Sequence, residues 1–442
     1  MKAQFLPIAL TISLACLVTG ASLWLGGCGG SSSDDATGMP SAAVSTTTAQ
    51  APPPTGGGGA QIMDLSQTLS DRAQLCTMAF GGLAFLTGSL GADSFFPPGK
   101  VADWWGFQCL RDNDPTQMGH NTDFLTRAAN NMLYVLTATQ KAQLVTLAKS
   151  QVSSINKYGY KRFVLMKAFR RLLAGDLPTG AKGLSRTGVE SYSANLYRLD
   201  GQISLQRAKV MGGILKALTT DQRAYLDKLK GTGMKTWLNL PDQISKAGLT
   251  NDEFVAVMTY SGDLFSWHLG NLTSDVYFCP ERQGTYFGGF YMKDAQAMGN
   301  PDYTIPSDLT GKLGDSFIAA LTTKQAALLN ARLAADKPLL AQIVTTRSAV
   351  ATQLRKYITG QTPNTADVLH LCGTYGWLDG NIVSGYAIAF AQIGKTLTAA
   401  QKTKLTALRL EACTLTPQGA FLYSTPIAMP TIPNTDFLFA SN

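Results

Sequence analysis

The sequence predicts an all-α protein whose body is a tandem duplication of two helical units, and three observations carry that expectation. First, one phrase occurs four times: Leu136-Thr137-Ala138-Thr139-Gln140, Leu218-Thr219-Thr220-Asp221-Gln222, Leu321-Thr322-Thr323-Lys324-Gln325 and Leu397-Thr398-Ala399-Ala400-Gln401. Each sets a threonine three residues before a glutamine, the sequence form of a capping box. Leucines follow at helical spacing, for example Leu144 and Leu147 or Leu405 and Leu408, and so share one helix face. An apolar stretch precedes each phrase, which predicts four helix–turn–helix corners capped by Thr137 and Gln140, Thr219 and Gln222, Thr322 and Gln325, and Thr398 and Gln401. Second, anchors recur at equal spacings. Arg170-Arg171 and Arg355-Lys356 each lie 34 residues after the leucine of their half's first phrase. Leu199-Asp200-Gly201 and Leu378-Asp379-Gly380 each lie 19 residues before the second phrase. Third, sustained alternation of Val, Ile and Thr is scarce, so strands are not expected beyond short ribbons.

Taken in order, the chain opens with one cation, Lys2, and an apolar run from Phe5 to Leu25. It then reads Leu25-Gly26-Gly27-Cys28 and turns abruptly to Gly and Ser. Basic start, apolar middle and small residues before a cut describe a secretory signal, and these last four residues resemble the lipobox of bacterial lipoproteins. The resemblance implies that residues 1–27 are removed, that Cys28 is acylated, and that two or three acyl chains anchor the protein stably in a membrane. Gly29 and Gly30, rather than Asp, follow the cysteine; by resemblance to enterobacterial sorting this implies the outer membrane.

Residues 28–62 are Ser, Thr, Pro, Ala and Gly with almost no large apolar side chain, the composition of a flexible tether. The body divides into unit 1 (63–246) and unit 2 (247–413), with Pro241 and Gly248 near the seam. Each unit is expected to hold two corners and a Gly/Pro/aromatic insertion between its first and second helices. The insertions carry Trp104, Trp105 and Phe107 in one unit and Tyr286, Phe287 and Phe290 in the other. From 414 to 442, prolines 417, 426, 430 and 433 forbid a continuous helix. The apolar residues among them predict an extended tail strapped over the helices.

The phrase LTxxQ resembles the signature of the LTXXQ-motif periplasmic stress proteins of the Spy/CpxP type. Those are exported, all-helical and built around two such phrases per protomer, and they hold unfolded clients on a concave dimer surface without ATP. The resemblance implies that each unit here corresponds to one protomer and that the role is chaperone-like. Two features depart from that family: the aromatic insertions, and a charged fraction of only 15%.

Composition bounds the rest. Formal net charge is +8 and falls to +7 without residues 1–27, which hold only Lys2 among charged residues. The excess is spread over helix faces, as at Lys161, Arg162 and Lys167. That reads either as solvated faces or as an affinity for anionic lipid or polymer. No nucleic-acid motif is present, and an exported location argues against such a partner. Apart from Cys16 in the signal and Cys28, five cysteines remain for an oxidising compartment. The candidate pairs are Cys76 with Cys109 and Cys372 with Cys413, with buried reduced thiols as the alternative.

Catalytic signatures (HExxH, GxSxG, a Walker loop, paired CxxC) do not occur. Asp200 and Asp379 in the matched LDG phrases are the carboxylates an enzyme would draw on, although turn or cap residues read the same way. A soft metal site would draw on His120 with Met118, or on His370 with Cys372. No cofactor is expected. The aromatics of the insertions either line a groove for an apolar ligand or protein client or close the ends of the bundles as core. The functional expectation is a non-catalytic envelope lipoprotein that binds a client or apolar ligand. The alternatives are an enzyme or metal protein of another type and a structural surface lipoprotein.

Overall fold

The computed structural model describes residues 71–88, 123–229, 236–269, 311–412, 420–422, 425–427 and 431–440. Among them the chain is predominantly helical. Ten α-helices follow in order: α1 (Asp71–Thr87), α2 (Asp123–Val135), α3 (Ala138–Ala174), α4 (Arg186–Lys216), α5 (Thr220–Leu229), α6 (Asn251–Leu269), α7 (Gly311–Ala319), α8 (Thr323–Arg355), α9 (Thr365–Thr396) and α10 (Ala399–Ala412). Strands in the described residues are two short antiparallel pairs. β1 (Gly183–Leu184) pairs with β4 (Phe439–Ala440), and β2 (Ala420–Leu422) with β3 (Thr425–Ile427). No described helix is long and apolar enough to cross a membrane.

Local sequence explains where the helices begin and end. Thr137 and Thr322 cap α3 and α8 with both halves of the capping box formed, which satisfies two of the N–H groups a helix start leaves without partners. At the other end of α3, Gly175 adopts the left-handed conformation (φ 76°), and Gly360 does so after α8 and its short 3₁₀ extension (φ 81°). Asp176 N–H then donates to the Arg171 carbonyl at 2.9 Å, and Gln361 N–H to that of Lys356 at 2.9 Å, so glycine closes both turns.

Helices α4 and α9 form the centre and cross antiparallel. Gly201 faces Cys372, Gly376 faces Ser193 and Tyr197, and Gly380 faces Glu190 and Ser193, so numbers rise on one helix as they fall on the other. A Cβ built on Gly376 would lie 2.5 Å from the Ser193 carbonyl oxygen. Close approach therefore depends on glycine here. Helix α3 flanks α4 and also touches α9, while α8 flanks α9.

The outer helices cross the seam. Helix α1, at the start of the chain, packs on α7, α8, α9 and α10; α6, which opens the second unit, packs on α2, α3, α4 and α5. Helices of residues 63–246 and 247–413 thus interleave, α1 lying on helices of the second range and α6 on helices of the first. Helix α6 buries Phe254, Val257, Met258, Tyr260, Leu264, Phe265 and Trp267 in this arrangement. At about 1.5–3 kcal/mol per large apolar side chain, that burial rivals the ~5–15 kcal/mol net stability of a typical domain. Polar ties add direction: Arg207 of α4 pairs with Asp263 of α6 at 3.4 Å, and Tyr260 Oη donates to Gln151 Oε1 of α3 at 2.8 Å.

Residues 431–440 lie across α3 and the start of α4. Leu438 is buried, Ser185 N–H donates to its carbonyl at 2.8 Å, and Arg171 donates to Asp436 at 2.6 Å. The Arg171 guanidinium also lies 5.0 Å from the centre of the Phe439 ring.

Candidate functional site

All four threonine–glutamine phrases make the reciprocal backbone bonds of a capping box. The glutamines do more than cap. Gln222 Nε2 donates to Gln140 Oε1 at 2.9 Å and to the Val135 carbonyl at 2.6 Å. In the other half, Gln401 Nε2 donates to Gln325 Oε1 at 2.9 Å and to the Ala320 carbonyl at 2.8 Å. Each pair of corners is joined by a clasp in which the second glutamine reaches the first and also ties down the end of the preceding helix. These residues build architecture; Gln140, Gln222 and Gln325 are buried.

The two LDG carboxylates lie inside the α4–α9 crossing. Asp200 and Asp379 are both 0% exposed. Tyr197 Oη donates to Asp379 Oδ2 at 2.9 Å. The Tyr197 ring meets Tyr375 edge to face with centroids 4.6 Å apart. Arg347 of α8 donates to Tyr375 Oη at 3.1 Å. The result is a polar seam inside the core, closed to solvent. Cys372 is buried against Gly201, whereas His370, two residues earlier on α9, is exposed. The helix thus turns the two side chains to different faces. No group of three or more His, Cys, Asp or Glu is placed to hold a metal among the described residues.

Over the outer side of the same crossing lies a hollow of about 340 Å³, lined by Ser191, Ala194, Asn195 and Arg198 of α4 and by His370, Gly373, Thr374 and Trp377 of α9. Its floor is Ala194 and Gly373. Arg198 stretches over that floor: a Cβ on Gly373 would lie 2.8 Å from Arg198 Nε and 3.0 Å from its Cζ. The guanidinium is steadied by one bond, from Nη1 to Asn195 Oδ1 at 2.7 Å. Trp377 is 42% exposed, and the buried Glu190 carboxylate of α4 accepts from Asn381 Nδ2 of α9 at 2.8 Å. Burial raises the Glu190 pKa; the charge of Arg186 and the bond from Asn381 oppose that rise.

A larger and shallower hollow, about 910 Å³, opens between α3, the start of α6 and residues 431–433. Lys149, Lys157, Lys161, Tyr160 and Tyr192 line one side, and Asp252 and Glu253 the other. Burial pushes the Tyr192 phenol up to about 12 against the opposing charge of Arg162, and its hydroxyl donates to the Lys161 carbonyl at 3.0 Å. Glu253 is committed to the cap of α6, accepting from Thr250 N–H at 2.8 Å.

Several expectations from the sequence lie outside the described residues: the signal and Cys28, the tether, the aromatics Trp104, Trp105, Phe107, Tyr286, Phe287 and Phe290, and the residues Met118, His120, Cys109 and Cys413. Cys76 falls within α1. Sequence reasoning did not single out Arg198, Asn195 or Trp377. The available signal was the run Gly373, Gly376, Gly380 in a helix, whose spacing marks a close crossing and the hollow beside it. No protein family, curated protein or solved structure matches the chain.

Proposed function

We propose that the protein is a lipid-anchored, non-catalytic binding protein of the bacterial cell envelope, sited at the outer membrane, and that its body is a tandem duplication whose copies exchange their first helices. One observation carries the binding role. At the α4–α9 crossing, Asp200 and Asp379 are shut inside the core, while the side chains open at the surface include an arginine, a histidine and a tryptophan. Acid–base catalysis needs its carboxylates within reach of a substrate; recognition needs exposed aromatic and cationic groups.

The duplication draws support from more than spacing. Arg170 donates to the Gly88 carbonyl at 3.1 Å, just past α1, and Arg355 to the Trp267 carbonyl at 3.5 Å, near the end of α6. These are the arginines aligned by sequence, each at a helix C-terminus where a cation is favoured. The paired glutamine clasps repeat in the same way. On this reading the lipobox tethers the body, and the aromatic insertions, with Trp105 and Phe287, hold an apolar ligand or unfolded client in the manner of the LTXXQ-motif stress proteins.

The test uses the full-length chain in a bacterial host. Intact mass is expected to show cleavage before Cys28 and added acyl mass, both lost in Cys28→Ala together with membrane association. In an aggregation-suppression assay, Trp105→Ala with Phe287→Ala is expected to abolish client capture at unchanged helicity. An uncleaved, unacylated chain removes the anchor. Unfolding of the double variant moves the aromatics into the core and removes the client reading.

A further inference from the structure

The geometry points to the hollow over the α4–α9 crossing as a binding site for an anionic sugar, a pyranose ring carrying a carboxylate or a phosphate. The inference rests on the binding role proposed above but on nothing concerning the anchor or the aromatic insertions.

Charge gives the sign of the ligand. The eight lining residues include the Arg198 guanidinium and the His370 imidazole, and no carboxylate. Glu190 of α4 is buried and bonded by Asn381, and the exposed Asp367, one turn before His370 on α9, stands outside the lining. A guanidinium offers five N–H donors in a planar fork that fits a carboxylate or phosphate bidentately. In Arg198 one bond, to Asn195, is made among the described residues. Surface arginines ordinarily lose rotamer freedom when they bind. Here the missing side chain at Gly373 and the anchor at Asn195 fix the head group beforehand, which lowers that cost.

Shape and polarity give the rest. Trp377 is exposed and lines one end of the hollow, where its indole offers a flat apolar surface. Such a face suits the C–H side of a pyranose. Ser191, Thr374 and Asn195 add hydroxyl and amide groups able to bond ring hydroxyls in either direction. The volume, about 340 Å³, is at the lower end of small-ligand sites and accommodates a single ring rather than a long chain. A purely apolar ligand would strip water from Arg198 and offer its charge no counter-charge, which is costly; a bare small anion would leave the Trp377 face unused.

The hollow also straddles the line along which the two units match. With Asp200 set against Asp379, Arg198 falls opposite Trp377, Asn195 opposite Thr374, Ala194 opposite Gly373 and Ser191 opposite His370. Equivalent positions of two copies meet across one antiparallel crossing, and they have diverged into a cation on one side and an aromatic on the other. A symmetric pair would recognise a symmetric ligand. This pair recognises a ligand with a charged end and an apolar face.

The experiment is a titration of the full chain followed by ¹H–¹⁵N correlation spectra of the tryptophan indole and arginine Nε–H groups. The probes are glucuronate, glucose 1-phosphate, glucose, acetate and inorganic phosphate. Glucuronate, glucose 1-phosphate or both are expected to shift the Trp377 indole and the Arg198 Nε–H together, with glucose, acetate and phosphate at least about tenfold weaker, a difference of ~1.4 kcal/mol. The tighter of the two anionic sugars identifies the source, a uronate polymer or a sugar phosphate. Arg198→Lys, which keeps the charge and loses the fork, and Trp377→Ala are each expected to weaken binding by about tenfold or more. Both sites are exposed, and thermal unfolding confirms that each variant folds. Equal binding of acetate and glucuronate, equal binding of glucose and glucuronate, no shift at tens of millimolar, or unchanged affinity in folded Arg198→Lys overturns the inference. Client capture and acylation, read separately, would be untouched by that failure.

Discussion

At the scale of single residues, the four glutamines show how a local signal acquires a distant use. The capping box was legible because threonine and glutamine three apart satisfy each other's backbone within one turn. The bond from Gln222 to Gln140 spans 82 residues and no local rule announces it. Gln222→Ala removes the bonds to Thr219 N–H, the Val135 carbonyl and Gln140, so a loss of about 2–3 kcal/mol in urea unfolding is expected. A cycle with Gln140→Ala should return a coupling of about 0.5–1.5 kcal/mol; strict additivity would mean the clasp contributes nothing. Asp336 supplies a pH signature. Burial raises its pKa from 3.8 to about 6 even though Arg332 pairs with it through bonds of 2.9 Å. A carboxyl whose folded pKa lies above its unfolded value holds its proton more tightly when folded. Its contribution is therefore complete below the unfolded pKa and is lost as pH rises through about 6. Relative to Asp336→Asn, the natural protein should lose up to about 3 kcal/mol between pH 4 and 7. A stability difference that does not change over that range would show that the carboxyl titrates normally.

At the scale of elements, helical content was legible and the crossing was not. Period and caps place α3, α4, α8 and α9, because both depend on neighbours within a few residues. Which helices touch depends on faces that only meet after folding, and the glycines of α9 mark that face without naming its partner. The candidate site was hidden for the same reason: Arg198 and Gly373 lie 175 positions apart in the chain and meet only at the crossing. Two glycines separate the packing role of the residue from its cost to a helix. Gly376→Ala would put a methyl 2.5 Å from the backbone oxygen of Ser193 and 2.7 Å from Tyr197 Cβ, neither of which can swing away. A loss of about 3 kcal/mol or more is expected in chemical unfolding, at the upper end for overpacking. Gly213, inside α4, has nothing within 4 Å of the place a methyl group would occupy. Gly213→Ala should instead gain about 0.5–1 kcal/mol from helix propensity. If both substitutions moved stability the same way, the α4–α9 contact would not be the tight element described.

At the scale of the whole molecule, the exchange of α1 and α6 that we propose bears on how the chain assembles. Equal spacings survive in linear order, which is why the sequence suggests two similar units. They did not announce that each unit completes the other, because a hydrophobic face specifies burial and not the segment that buries it. If the units are true copies, residues 63–246 alone retain α1 as well as the groove that α6 fills in the whole chain. In the whole chain α1 packs on α7 to α10. The isolated half is then expected to form a two-fold dimer in which the α1 helices trade places, the isologous arrangement exchange produces. Adding residues 247–442 should convert it to a 1:1 complex that melts more like the intact chain, because that pairing restores Phe265 of α6 to the Trp237 ring and Tyr260 to Gln151. Sedimentation equilibrium measures the first expectation and native mass spectrometry the second. A cooperative, monomeric 63–246 that ignores its other half would show that each unit closes on its own first helix, and the exchange would then be incidental to the fold.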